Sequence, residues 1–201
     1  MKSTDKIQDL LPIGYLFLVV LGMLKESLLF YQLGIPILKY STIMDILISP
    51  IATMTSHYLI LIVLVLFFYF FFKLPSILMK FGHKKWVQKT FEVDSSKIEL
   101  PEPERKNYFN LLAVKGLAGM MISFFLGFGF SEGYSVASKI KNNQLKYDFK
   151  LTYSSGESEM IGLIDSNSAY YFYVSKGNKN IKITPVGSIK NIELVYNKQL
   201  K

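Results

Sequence analysis

The chain has 201 residues, half of them hydrophobic and 15% aromatic, with 23 Lys and Arg against 15 Asp and Glu for a net charge of +8. It has no Cys, which excludes a disulfide framework, a thiolate nucleophile and a Cys-based metal site. The apolar residues collect in blocks before residue 133, so the basic balance reads as contact with anionic lipid headgroups, in preference to nucleic acid.

In chain order, the first apolar block covers residues 10–31, long enough to cross a bilayer, with Pro12 in its first turn where a missing N–H does no harm. No small-x-small cleavage site follows, so the segment reads as a retained span. Lys25 and Glu26 interrupt it. Neighbours about 100° apart on a helix cannot both escape to one face, which makes Glu26 an intramembrane carboxylate and a functional-site candidate. Equally, the span could end near Leu24 and leave both charges interfacial.

Residues 33–55 are amphipathic and bounded by Gly34, Pro36 and Pro50, each read as a helix break; they suit an interfacial or re-entrant helix. The second span, 56–79, contains the uncharged run Tyr58–Phe72. A hydrophilic loop, 80–107, follows. Its Lys80, Lys84, Lys85, Trp86 and Lys89 suit a helix lying on anionic lipid, and Pro101 to Arg105 reads as an extended linker.

The third span, 108–133, carries Lys115, Gly119, Ser123, Gly127 and Ser131 at four-residue spacing, with Gly116 beside them. Small residues four apart let helices approach closely, so the stripe packs either against the chain's own spans or against a second copy. Lys115 either snorkels to the headgroups or lies in a polar pathway. A linker helix, 134–144, leads to a change of period.

From 145 to 153 apolar and polar residues alternate, the pattern of a half-buried strand. Further strands are expected at 159–164, 170–175, 180–184 and near Ile189–Leu194, with Asp165–Ser168 as a turn. The expected fold is an α+β membrane protein: three transmembrane helices and an interfacial or re-entrant helix, then a small five-stranded antiparallel β-barrel over 145–197. His57 and His83 lie at opposite ends of the second span without ligand spacing. No phosphate loop, nucleophile motif or cofactor motif stands out, so the chain reads as non-enzymatic.

The alternating first strand, Gly162, Tyr170–Val174 and the ending from Ile181 through Pro185 to Ile192 resemble a small barrel of the SH3/Sm-like kind. A small-residue third span followed by such a barrel is similar to mechanosensitive channels of small conductance. The sparse stripe and the lack of a large vestibule domain depart from that family. The expectations are a barrel that binds a protein partner or assembles into homo-oligomers, with a channel-like oligomer as the alternative. Residues 73–106 hold eight Lys and Arg, against four in the twenty residues after Gly133. The positive-inside rule therefore places the N-terminus and the 80–107 loop in the cytoplasm of a bacterial inner membrane, with the barrel outside.

Overall fold

A computed structural model describes residues 2–56 and 58–195. Among these residues the chain is α+β. Helices α1 (Lys2–Tyr31), α2 (Ile43–Ser56), α3 (Tyr58–Phe81), α4 (Lys85–Phe91) and α5 (Glu102–Lys141) precede strands β1 (Phe149–Tyr153), β2 (Ser158–Ser166), β3 (Tyr170–Ser175), β4 (Ile181–Pro185) and β5 (Ile189–Leu194). Three helical stretches, Leu11–Tyr31, Tyr58–Phe81 and Glu102–Lys141, are long and apolar enough to cross a membrane. The residues gather into two compact units, Met1–Pro50 with Phe125–Lys201, and Ile51–Phe124.

In the Ile51–Phe124 unit, α3 and α4 enclose a core with the first part of α5. Its fully enclosed members are Leu74, Leu78, Val87 and Phe109. The short α4 is amphipathic: Val87 points inward while Trp86 stays 60% exposed. The segment from Pro101 to Arg105 is not an extended linker. Helix α5 begins at Glu102, and the Pro101 carbonyl accepts from the N–H groups of Glu104 and Arg105. Pro103 sits in the first turn, where no intrahelical partner is lost, and Glu102 and Glu104 complement the positive end of the helix dipole.

In the other unit, glycines set how closely helices approach. A Cβ at Gly129 would strike the Lys25 backbone, and one at Gly133 would lie 2.9 Å from the Leu29 Cα. This small-x-x-x-small pair seats α5 against α1. Helix α2 runs straight through Pro50, where a break was expected. Pro50 has no N–H for the Ile46 carbonyl four residues back. That freed carbonyl instead meets α1 at Gly22, the residue without a side chain to obstruct it.

The five strands form one antiparallel sheet in the order β4-β3-β2-β1-β5. Strands β4 and β5 lie at opposite edges with no ladder between them, so the expected closed barrel is an open sheet. The β3–β4 ladder ends at Tyr170 opposite Pro185, which has no N–H to donate, and a three-residue 3-10 turn then carries the chain to the β1 edge. Leu151, Ile161 and Tyr173 are enclosed on one face without closure, packed by Phe149, Leu163, Ile189 and Ile192. On the other face Phe172 packs with Leu29, Phe30 and Ile37. Residues 145–148 are not in a strand: Leu145 lies across Gly162 of β2, where any Cβ would overlap its side chain.

Candidate functional site

Among the described residues, the buried charged side chains are two neighbours on α1. Lys25 and Glu26 are 7% and 6% exposed, and α1 continues past them to Tyr31, so neither marks a helix end. Lys25 Nζ donates to Glu26 Oε1 at 2.9 Å and to Ser49 Oγ of α2 at 3.3 Å. Ser49 Oγ in turn donates to Glu26 Oε1. Glu132 of α5 places a carboxylate oxygen 3.8 Å from Lys25 Nζ. That Glu132 oxygen is buried and accepts no hydrogen bond.

A third carboxylate arrives from the sheet, and a bulge delivers it. Opposite residues of an antiparallel pair share a face, and Leu163 pairs with Tyr173 while Asp165 pairs with Phe172. The extra residue, Ile164, shifts the register by one and turns Asp165 to the Phe172 side, which packs on the helices. Asp165 was expected in a turn; it lies inside β2. Burial pushes its carboxyl up to about 6, the negative charge of Glu26 adds to the rise, and the Ser166 N–H and Lys25 only partly offset it. One ammonium thus faces three carboxylates, of which Glu26 is the most enclosed and Asp165 the one whose carboxyl is raised. Elements from residues 25 to 165 thus contribute to one charge cluster.

Beside it lies a clasp. Thr42 caps α2: its N–H and hydroxyl donate to Asp45 Oδ2 at 2.8 and 2.7 Å, and Asp45 N donates back to Thr42 Oγ1 at 3.2 Å. The same Asp45 carboxylate accepts from Ser168 N and Ser168 Oγ, both at 3.0 Å, in the β2–β3 turn. Burial alone would raise the Asp45 carboxyl, but the donors from Thr42 and Ser168 outweigh it and hold it below the ordinary range. Asn167 Nδ2 reaches the Tyr40 carbonyl at 3.1 Å, and its Oδ1 accepts from the Ala169 and Tyr170 N–H groups. Aromatic edges close the joint, with ring centroids 4.9 Å apart for Phe30–Phe172 and 5.5 Å for Tyr40–Tyr170.

The curled face of the sheet has its own polar network. Tyr153 donates to Glu159 and lies 2.6 Å from the Tyr173 hydroxyl, which meets Thr184 Oγ1 at 3.0 Å. Lys182 pairs with Glu159 at 3.0 Å. Burial and these bonds push the Tyr153 hydroxyl well above the usual phenol range.

Comparisons with known proteins add no identity to this geometry. No protein-family model, curated protein or solved structure matches the chain.

Of the residues singled out in the sequence, the structure brings Lys25 and Glu26 into the cluster and leaves Lys115 exposed elsewhere on α5. Gly119 and Gly127 meet nothing within 4 Å, and Ser123 and Ser131 are exposed, so this stripe faces away from the chain's own helices. Of these residues Gly116 alone is a close approach: a Cβ there would lie 2.7 Å from the Phe71 ring. Lys80 and Lys84 lie over the Phe81 ring at 5.3 and 5.0 Å, while Lys85 and Lys89 are exposed on α4. Among the described residues no group of three metal-ligating side chains converges. His83 is exposed, and His57 lies outside the described residues. Sequence reasoning did not find Ser49, Glu132 or Asp165 as partners of Lys25 and Glu26. The only available signal was the cost of burying the Lys25–Glu26 pair, which demands partners without saying where they are.

Proposed function

We propose that this chain is a non-enzymatic, multi-pass protein of the bacterial inner membrane that holds a small β-sheet at one membrane face as a docking module for a protein partner. The single observation that carries the reading is the clasp. A sheet bonded through Asn167, Ser168 and Phe172 to the first helices is held in place, as a receptor surface must be, and does not swing on a tether. Its β4 and β5 edges pair with no described strand and offer backbone groups to an added segment. In the same reading, Lys80, Lys84, Lys85, Trp86 and Lys89 rest on anionic headgroups, with the N-terminus and 80–107 loop cytoplasmic and the sheet outside.

The Cys-free background makes the test clean. Single cysteines replace Asp94 and Asn178 and are labelled from outside intact cells, followed by crosslinking at Asn178. Labelling at 178 but not 94, with a crosslinked partner, supports the proposal. Label at 94 alone, or no crosslink in cells, overturns it.

A second reading is an oligomeric, pore-like assembly, favoured by the outward-facing Gly119 and Gly127. Replacing both with Leu then reduces particle mass in detergent. An unchanged mass, or liposomes that show no ion flux at any tension or potential, refutes it.

A further inference from the structure

Between α3 and α5 of the Ile51–Phe124 unit runs a groove of about 670 Å³, room for part of a lipid and not for the whole molecule. Its walls over most of the length are Phe68, Phe72, Pro75, Val114 and Leu117. From Phe68 to Met79 the α3 wall extends roughly 17 Å at 1.5 Å per residue. The charged end comes from α5, with Glu102, Lys106 and Asn110 on successive turns of one face, and Ser76 of α3 also lines the groove. Glu102 and Lys106 form no ion pair with each other, nor with any described residue. An apolar slot closed by one unpaired carboxylate and one unpaired ammonium is complementary to a particular kind of molecule. It needs a long hydrocarbon chain, then a phosphate for Lys106 and Asn110, then a cation for Glu102.

We infer that this groove binds one phospholipid with a zwitterionic, primary-amine headgroup, of the phosphatidylethanolamine type, one of its two acyl chains lying along the phenylalanines. The inference rests on the membrane reading above and goes beyond its general attraction to anionic surfaces. A phosphatidylglycerol would satisfy Lys106 but leave Glu102 facing a neutral glycerol. The Glu102 carboxylate is therefore the selectivity element and Lys106 the affinity element.

The experiment uses the full chain in nanodiscs of mixed phosphatidylethanolamine and phosphatidylglycerol, with retained lipid read by native mass spectrometry. Wild type is expected to keep one lipid per chain and to favour phosphatidylethanolamine about tenfold, the scale of a charge-assisted hydrogen bond. Lys106→Gln lowers retention of both lipids, whereas Glu102→Gln keeps retention and erases the preference. Val114→Trp fills the slot from a position that is 63% exposed, so folding is not at stake, and it abolishes retention. A wild type that keeps no lipid, keeps phosphatidylglycerol as well, or retains lipid unchanged after Val114→Trp overturns the inference. A carbonate wash of cell membranes separates the two levels. Protein that stays in the pellet without bound lipid defeats the groove alone, and protein released by the wash defeats the membrane reading with it.

Discussion

Replacing Asp165 by Asn removes a charge that the fold holds against its preference. The Asp165 carboxyl rises from 3.8 to about 6, chiefly through burial and then through Glu26. An acid whose folded value is raised binds more protons folded than unfolded, so stability falls as pH rises from about 4 to 6 and is flat above. The difference amounts to about 3 kcal/mol at neutral pH. Asn keeps the acceptor for the Ser166 N–H, now 2.7 Å from Asp165 Oδ1, and carries no charge. Asp165→Asn is expected to be more stable than wild type at pH 7.5 by up to about 3 kcal/mol, or a melting shift of about 6–12 °C for a chain of this size. The gain shrinks to nothing by pH 4. Thermal melts of both proteins in the same detergent, from pH 4 to 8, measure it. A variant equal to or weaker than wild type at pH 7.5, or an offset that does not change with pH, refutes the assignment of Asp165 to the charge cluster.

Other outcomes follow from the same geometry. Lys25→Met leaves Glu26 buried beside two further carboxylates and costs about 3–5 kcal/mol, while the double change Lys25→Met with Glu26→Leu recovers most of it; a double-mutant cycle in detergent melts checks the coupling. Gly129→Val forces a side chain into the Lys25 backbone and destabilises by about 1–3 kcal/mol or more, whereas Gly127→Ala on the open face stays within about 0.5 kcal/mol. Phe172→Ala opens a cavity at the joint worth about 3–5 kcal/mol and exposes the 142–148 segment to limited proteolysis. Ser168→Ala removes one hydroxyl donor to Asp45 and costs about 1 kcal/mol, seen as a small melting shift that Asp45→Ala exceeds.

How much of this was legible in the sequence depended on the range of the signal. The Tyr58–Phe72 run, uncharged throughout, needs only composition to be read as a long apolar helix. The third strand, Tyr170–Ser175, needs only its run of aromatic residues and Val174 between flanking turn residues. Pro50 and Pro101–Pro103 misled because a proline's effect depends on where its helix starts and on what takes the freed carbonyl. For Pro50 that is Gly22, 28 residues away in the chain and so invisible to local patterning. Asp165-Ser-Asn-Ser168 has turn composition, and only the pairing with β3 shows the register shift that places Asp165 in a strand. The absence of closure was hidden for the same reason, since five short strands joined by tight turns suit an open sheet and a barrel alike. The stripe at Gly119 and Gly127 has the right spacing for close packing, but spacing does not say which face of α5 meets a neighbour. Gly129 and Gly133, two residues round, meet α1, and Gly116 meets Phe71 of α3.

The clasp also has a consequence for biosynthesis. Asp45 and Ser168 are 123 residues apart, which is roughly 6–25 s of chain synthesis. Over that interval α1 and α2 are complete while the sheet that covers them does not exist. Lys25, Glu26 and Asp45 spend it without the residues that finish their surroundings, and the fold is sealed only when the last quarter of the chain arrives. A product truncated before β3 would present an unfinished polar patch on its early helices.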